Sequence, residues 1–146
     1  MLDKKLTDQE KLAEIAKNDN YYVTTYRSTY GDSVEVWEAD KGVAAVAKLT
    51  DQTIIADVAK NAKNGDVRRA AITRLNEQYQ TLFADIAKND IDYRVCTVAV
   101  CRLTDCDMLS DVQKNAKIPH VGVIARKILI EITTTERDIN KENTNV

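Results

Sequence analysis

The sequence predicts an all-α protein built of paired helices, and three observations predict it. The phrase Leu-Thr-Asp-Gln opens at Leu6 and again at Leu49, with related copies at Leu103-Thr104-Asp105-Cys106 and Leu75-Asn76-Glu77-Gln78. Each copy leads into an apolar-periodic stretch that ends in Lys-Asn. Alanine recurs four residues before each boundary, at Ala45, Ala71, Ala99 and Ala125. One Pro and four Gly in 146 residues suit helices and argue against a turn-rich β-sandwich.

The units start at residues 6, 49, 75 and 103, so their spacings are 43, 26 and 28. The first unit therefore carries an insertion of roughly fifteen residues. The first half of each unit reads as a helix. Leu12, Ile15 and Ala16 follow Leu6, and Ile55, Val58 and Ala59 follow Leu49, at offsets that share one helical face. Thr7 and Glu10 have capping-box spacing, and Thr50 and Thr104 are expected at the equivalent N-cap. Lys in the last turn meets the negative end of the helix dipole. The Asn after it is expected to take a left-handed C′ position.

The second half of each unit reads as a second helix. The residue before the recurring Ala is Ala44, Ala70, Val98 or Ile124, and Val67, Val95 and Val121 stand four residues earlier in the last three units. Small residues at fixed places allow close helix contact. Asp66 and Asp92 are expected N-caps, and Pro119 fits a first turn.

The run Gly65-Asp66-Val67-Arg68-Arg69-Ala70-Ala71, following Leu49-Thr50-Asp51-Gln52 and leading to Leu75, resembles the HEAT-repeat family. It is most similar to the short type found in phycobilin lyase subunits. The resemblance covers about residues 6 to 132, although Val-Arg becomes Val-Cys in unit three and Val-Gly in unit four. It implies an α-solenoid of four short helix–turn–helix repeats, about 6–48, 49–74, 75–102 and 103–132, whose second helices line a concave face. Residues 133–146 are polar and aperiodic and are expected to form a frayed tail.

Residues 20–40 hold Tyr21, Tyr22, Tyr26, Tyr30 and Trp37 and carry a local charge of -3. Period-two alternation around Gly31-Asp32-Ser33 fits a β-hairpin, and an irregular or lengthened helix is the other reading. The segment either covers the open end of the first repeat or presents a ligand or partner site. At the other end, Ile128 to Ile132 would promote self-association if nothing covers them.

The total charge of -2 gives no global drive toward nucleic acid or anionic membrane. The start MLDKKLTDQEKLAE has no apolar leader pattern and no run suits a membrane span, so a cytoplasmic protein is expected. His120 is the single histidine, so no His-based metal site or nucleophile pair can be assembled. Cys96, Cys101 and Cys106 lie five apart, which is not zinc spacing, and they read as small packing residues. No metal, cofactor or catalytic group is expected.

Arginine carries the binding expectation. Arg68, Arg69, Arg74, Arg94, Arg102 and Arg126 lie in second halves. They either form a basic strip for an acidic peptide or phosphate backbone, or pair with the Asp residues at helix starts. The leading expectation is a non-enzymatic protein-interaction scaffold using Arg68, Arg69, Arg94, Arg102 and Arg126 with Tyr22, Tyr26 and Trp37. The alternatives are nucleic-acid binding of the kind that HEAT-like DNA glycosylases show, and a phycobilin-lyase-like subunit.

Overall fold

The computed structural model describes residues 6–19, 22–27, 33–38 and 40–144, with backbone alone for 22–27, 33–38 and Asp40. It divides into two compact units, Met1–Asn76 and Glu77–Val146. Each unit holds two helical hairpins. In the first, α1 (Asp8–Asn18) packs on α2 (Asp40–Lys48) and α3 (Gln52–Asn61) on α4 (Gly65–Arg74). Across these pairs α1 meets α3 and α2 meets α4, so first helices form one layer and second helices another. The second unit repeats this plan with α5 (Gln80–Asn89), α6 (Tyr93–Cys101), α7 (Cys106–Asn115) and α8 (Pro119–Thr144). No described helix is long and apolar enough to cross a membrane.

The insertion forms a hairpin. Strand β1 (Tyr22–Arg27) pairs antiparallel with β2 (Ser33–Glu38), Val23 facing Trp37 and Arg27 facing Ser33. The expected turn around Gly31-Asp32 lies outside the described residues.

The apolar periodicity becomes the core. Ile55, Val58, Ala59, Val67, Ala71 and Ile72 are buried in the first unit, and Phe83, Ile86, Val95, Ala99, Leu109, Val112, Val121 and Ala125 in the second. Ile15 departs from the pattern: it is 50% exposed, whereas its counterparts Val58, Ile86 and Val112 are buried. Among the described helices, α1 has neighbours on one side only, α2 and α3.

A glutamine near the start of each of the first three first helices holds the backbone where the second helix of a hairpin ends. Gln9 accepts the N–H groups of Thr50 and Asp51 at 2.8 and 3.2 Å and donates to the Lys48 carbonyl. Gln52 donates to Arg74 O and accepts from Asn76 N. Gln80 does the same with Arg102 O and Thr104 N. The side-chain amide thus satisfies orphan backbone groups where a second helix ends and the next first helix begins. Gln80, not Gln78, fills this place, because two extra residues wind a 3₁₀ turn at Glu77–Tyr79. Cys106 stands at the fourth such position, where α8 runs on and leaves no helix end to bridge.

Several expected caps move. Thr7 completes its capping box with Glu10 as expected. The N-caps of α3 and α7 are Asp51 and Asp105 rather than Thr50 and Thr104, whose N–H groups are bonded to Gln9 and Gln80. Asn64 caps α4, and Asp66 sits in its first turn beside Arg69. Asp92 caps α6, and Pro119 opens α8. The Lys-Asn asparagines are not left-handed. Asn18, Asn61, Asn89 and Asn115 are the last helical residues, and their amides donate back to the side chain or carbonyl four residues earlier. The residue that follows each one is extended, with φ from -61° to -63°.

The frayed tail is also corrected, since α8 continues to Thr144. Adding residues to a helix already nucleated by packing costs far less than starting one. Thr133, Thr135 and Thr144 each return a hydroxyl hydrogen bond to the carbonyl four residues back.

Candidate functional site

The arginines separate into internal struts and surface groups. Arg68 is only 7% exposed, and its guanidinium donates to the carbonyls of Ala62 at 2.8 Å and Lys63 at 3.2 Å. Its expected role as a surface anchor is therefore corrected: it holds the α3–α4 turn. The same position in the other hairpins is Gly42, Cys96 and Gly122, all buried. Each lies close to the end of its first helix. Gly42 donates its N–H to the Asp19 carboxylate at 2.9 Å, and the Cys96 thiol donates to Asp90 O at 3.3 Å. A Cβ on Gly122 would lie 2.8 Å from Gln113 O.

Arg69 pairs with Asp66 at 3.2 Å on its own helix, and its Nε has no partner. Arg74 donates to Leu49 O. Arg94 grips Asp92 through Nε and Nη2, at 3.3 and 3.0 Å. Arg102 caps α6 and lies over the Phe83 ring, 5.4 Å from its centroid. Arg126 is exposed on α8 and forms no ion pair among the described residues. Tyr22 and Tyr26 lie in β1 and Trp37 in β2, and their side chains are outside the described structure.

The second unit gathers an apolar and cationic surface on α6 and α8. Tyr93 opens α6, and its ring lies 5.7 Å from that of His120 near the start of α8. From there Val123, Arg126, Lys127 and Ile130 recur at offsets of three and four along the solvent side of α8. Val123 is 47% exposed and Ile130 52%. Ile91, in the turn before α6, is 93% exposed. Lys63 and Lys117 occupy its place in the corresponding turns before α4 and α8, so an isoleucine is the anomaly there.

Sequence reasoning gave His120 no role, took Ile130 only as part of a self-associating end, and passed over Ile91 and Val123. The signal was present as a second apolar stripe on α8, interleaved with Arg126 and Lys127 and opposite the buried Val121 and Ala125. Among the described residues no cluster of three His, Cys, Asp or Glu could hold a metal ion. Comparison with protein-family models, with curated proteins and with solved structures finds no match.

Proposed function

We propose that the four hairpins are repeats of one HEAT-like α-solenoid, that the protein is a non-enzymatic interaction scaffold, and that it binds through its second helices. The observation that carries this reading is the exposed α6–α8 stripe of Tyr93, His120, Val123, Arg126, Lys127 and Ile130. Solvated isoleucine and valine beside arginine is the composition of an interface core with polar anchors. The cations select a partner with acidic side chains around an apolar segment, since Arg forms paired hydrogen bonds to carboxylates. The partner side of α8 is set on a rigid base, because Val121, Gly122 and Ala125 behind it are fully packed.

The test is affinity capture from native lysate with the wild-type chain and with Val123→Glu/Arg126→Glu, both checked for intact helicity. Partners present with the first and absent with the second support the reading. The same set from both sinks it. Retention of nucleic acid instead, with binding that falls steeply with salt, would favour phosphate recognition.

A further inference from the structure

The first-helix layer carries a feature of opposite chemistry. A groove of about 300 Å³ runs between α1 and α3, lined by Leu6, Glu10, Ala13, Glu14, Lys17, Thr53, Ile54 and Asp57. Glu10, Ala13 or Glu14, and Lys17 follow one another at helical spacing, so the groove tracks about two turns of α1, about 11 Å, with Leu6 just before the helix. Its floor is apolar. Ala13 is buried, and its small side chain leaves the hollow between Leu6 and Ile54.

Among the described residues the rim is acidic, with three carboxylates against one ammonium. Lys17 is committed to Asp57 at 2.8 Å and closes one end. Glu10 caps α1 through the Thr7 N–H at 2.7 Å. Glu14 is exposed and makes no side-chain hydrogen bond or ion pair with any described residue. A carboxylate with no ion pair among the described residues, beside an apolar hollow, suits a cation on a group that also supplies an apolar side chain.

We propose that the α1–α3 groove is a docking site for a short cationic amphipathic helix. One large apolar side chain of that helix occupies the hollow over Ala13, between Leu6 and Ile54. Lys or Arg one turn away lies against Glu14 and Glu10. The groove's length matches the helix-in-groove mode, in which residues at i, i+3, i+4 and i+7 make the contacts. The site is independent of the α6–α8 stripe, which has the opposite charge.

The probe is a fluorescein-labelled Leu/Lys amphipathic peptide of about fifteen residues, long enough for helix-in-groove contacts. Its Leu/Glu counterpart is the control, and both are titrated into the full ¹⁵N-labelled chain. The expected result is saturable shifts at Leu6, Glu10, Glu14, Thr53 and Ile54 with the Lys peptide and none with the Glu peptide. Glu14→Lys should weaken binding about tenfold or more, since it removes an attraction and adds a repulsion. Ala13→Leu should block binding by filling the hollow. Shifts scattered over the surface, no saturation, or full affinity in Glu14→Lys would overturn the proposal. Should Ala13→Leu fail to fold by circular dichroism, Glu14→Lys and the shift map still decide it.

Discussion

The Lys17 ammonium sits 2.8 Å from the Asp57 carboxylate and joins α1 to α3, and Lys88 meets Asp111 at 2.5 Å in the corresponding place between α5 and α7. In both pairs an asparagine four residues on, Asn61 or Asn115, donates to the same carboxylate. The Lys17 hydrogen bond holds the Asp57 carboxyl below its ordinary 3.8, with burial opposing and Asn61 assisting. Lys88 and then Asn115 lower Asp111 in the same way. A carboxyl whose folded pKa is depressed binds fewer protons in the folded state. Its contribution is therefore present above the ordinary value and is lost as pH falls through the lowered one. Both pairs face solvent, so the contribution is modest and screened by salt. The urea midpoint should fall between about pH 5 and pH 3, and less so in Asp57→Asn/Asp111→Asn. An equal fall in both proteins would show that these pairs carry no linkage.

Gln80 bridges the end of α6 to the start of α7 with bonds of 3.1 Å to Arg102 O and 2.8 Å to Thr104 N. Gln80→Ala leaves both backbone groups to water or unpaired, at a cost of about 1–2 kcal/mol. Cys106→Gln restores the repeated residue where there is no helix end to bridge, and should change stability by less than about 0.5 kcal/mol. Urea unfolding of the two variants measures this. Equal effects would deny the glutamine its bridging role.

Gly122 lies where a Cβ would meet the Gln113 backbone oxygen at 2.8 Å. Replacing a helical Gly by Ala ordinarily gains about 1 kcal/mol. Here the opposing atom belongs to the backbone of α7 and cannot swing aside, so overpacking of about 1–3 kcal/mol should win. Gly122→Ala is expected to lower the melting temperature. A stabilised variant would mean that α7 and α8 separate at little cost.

The helical pairing was legible because it rests on local periodicity: Ile55, Val58 and Ala59, or Val95 and Ala99, declare their faces by spacing alone. The Thr7–Glu10 box was legible for the same reason. What failed was chemistry that depends on a residue distant in the chain. Thr50 matches Thr7 in sequence, but Gln9 takes its N–H, and Asp51 becomes the cap. Gln80 was hidden by a two-residue shift that only the bonds to Arg102 and Thr104 reveal. The arginines looked alike in sequence, because burial separates Arg68 from Arg126 and spacing does not record it. The acidic groove needs α1 and α3 side by side, and no single helix contains it.

The three cysteines should differ in reactivity. Burial, with the nearby charges of Asp90 and Asp92, pushes the Cys96 thiol up to about 11. Only the thiolate attacks a disulfide reagent, so Cys96 is protected by both access and ionisation. Cys101 is exposed and Cys106 partly so. At about pH 8 an aromatic disulfide should titrate Cys101 and Cys106 in the folded protein, and Cys96 only after guanidinium is added. Three thiols reacting at one rate would contradict the packing of α6 on α5.

Arg68 and Arg126 provide the sharpest contrast, because each tests a different job for the same side chain. Arg68 lies under the α3–α4 turn, and its Nη1 supplies a donor to two carbonyls that solvent cannot reach well. Arg68→Ala removes that donor and leaves a cavity, so it should cost about 2–4 kcal/mol. Arg68→Lys keeps one cationic donor on a shorter, unforked group and should fall between wild type and Ala. Arg126→Ala removes an exposed side chain and should stay within about 0.5 kcal/mol. Its effect should instead appear in partner capture. Chemical denaturation of the three variants separates these roles, and a destabilised Arg126→Ala together with a neutral Arg68→Ala would reverse the assignment.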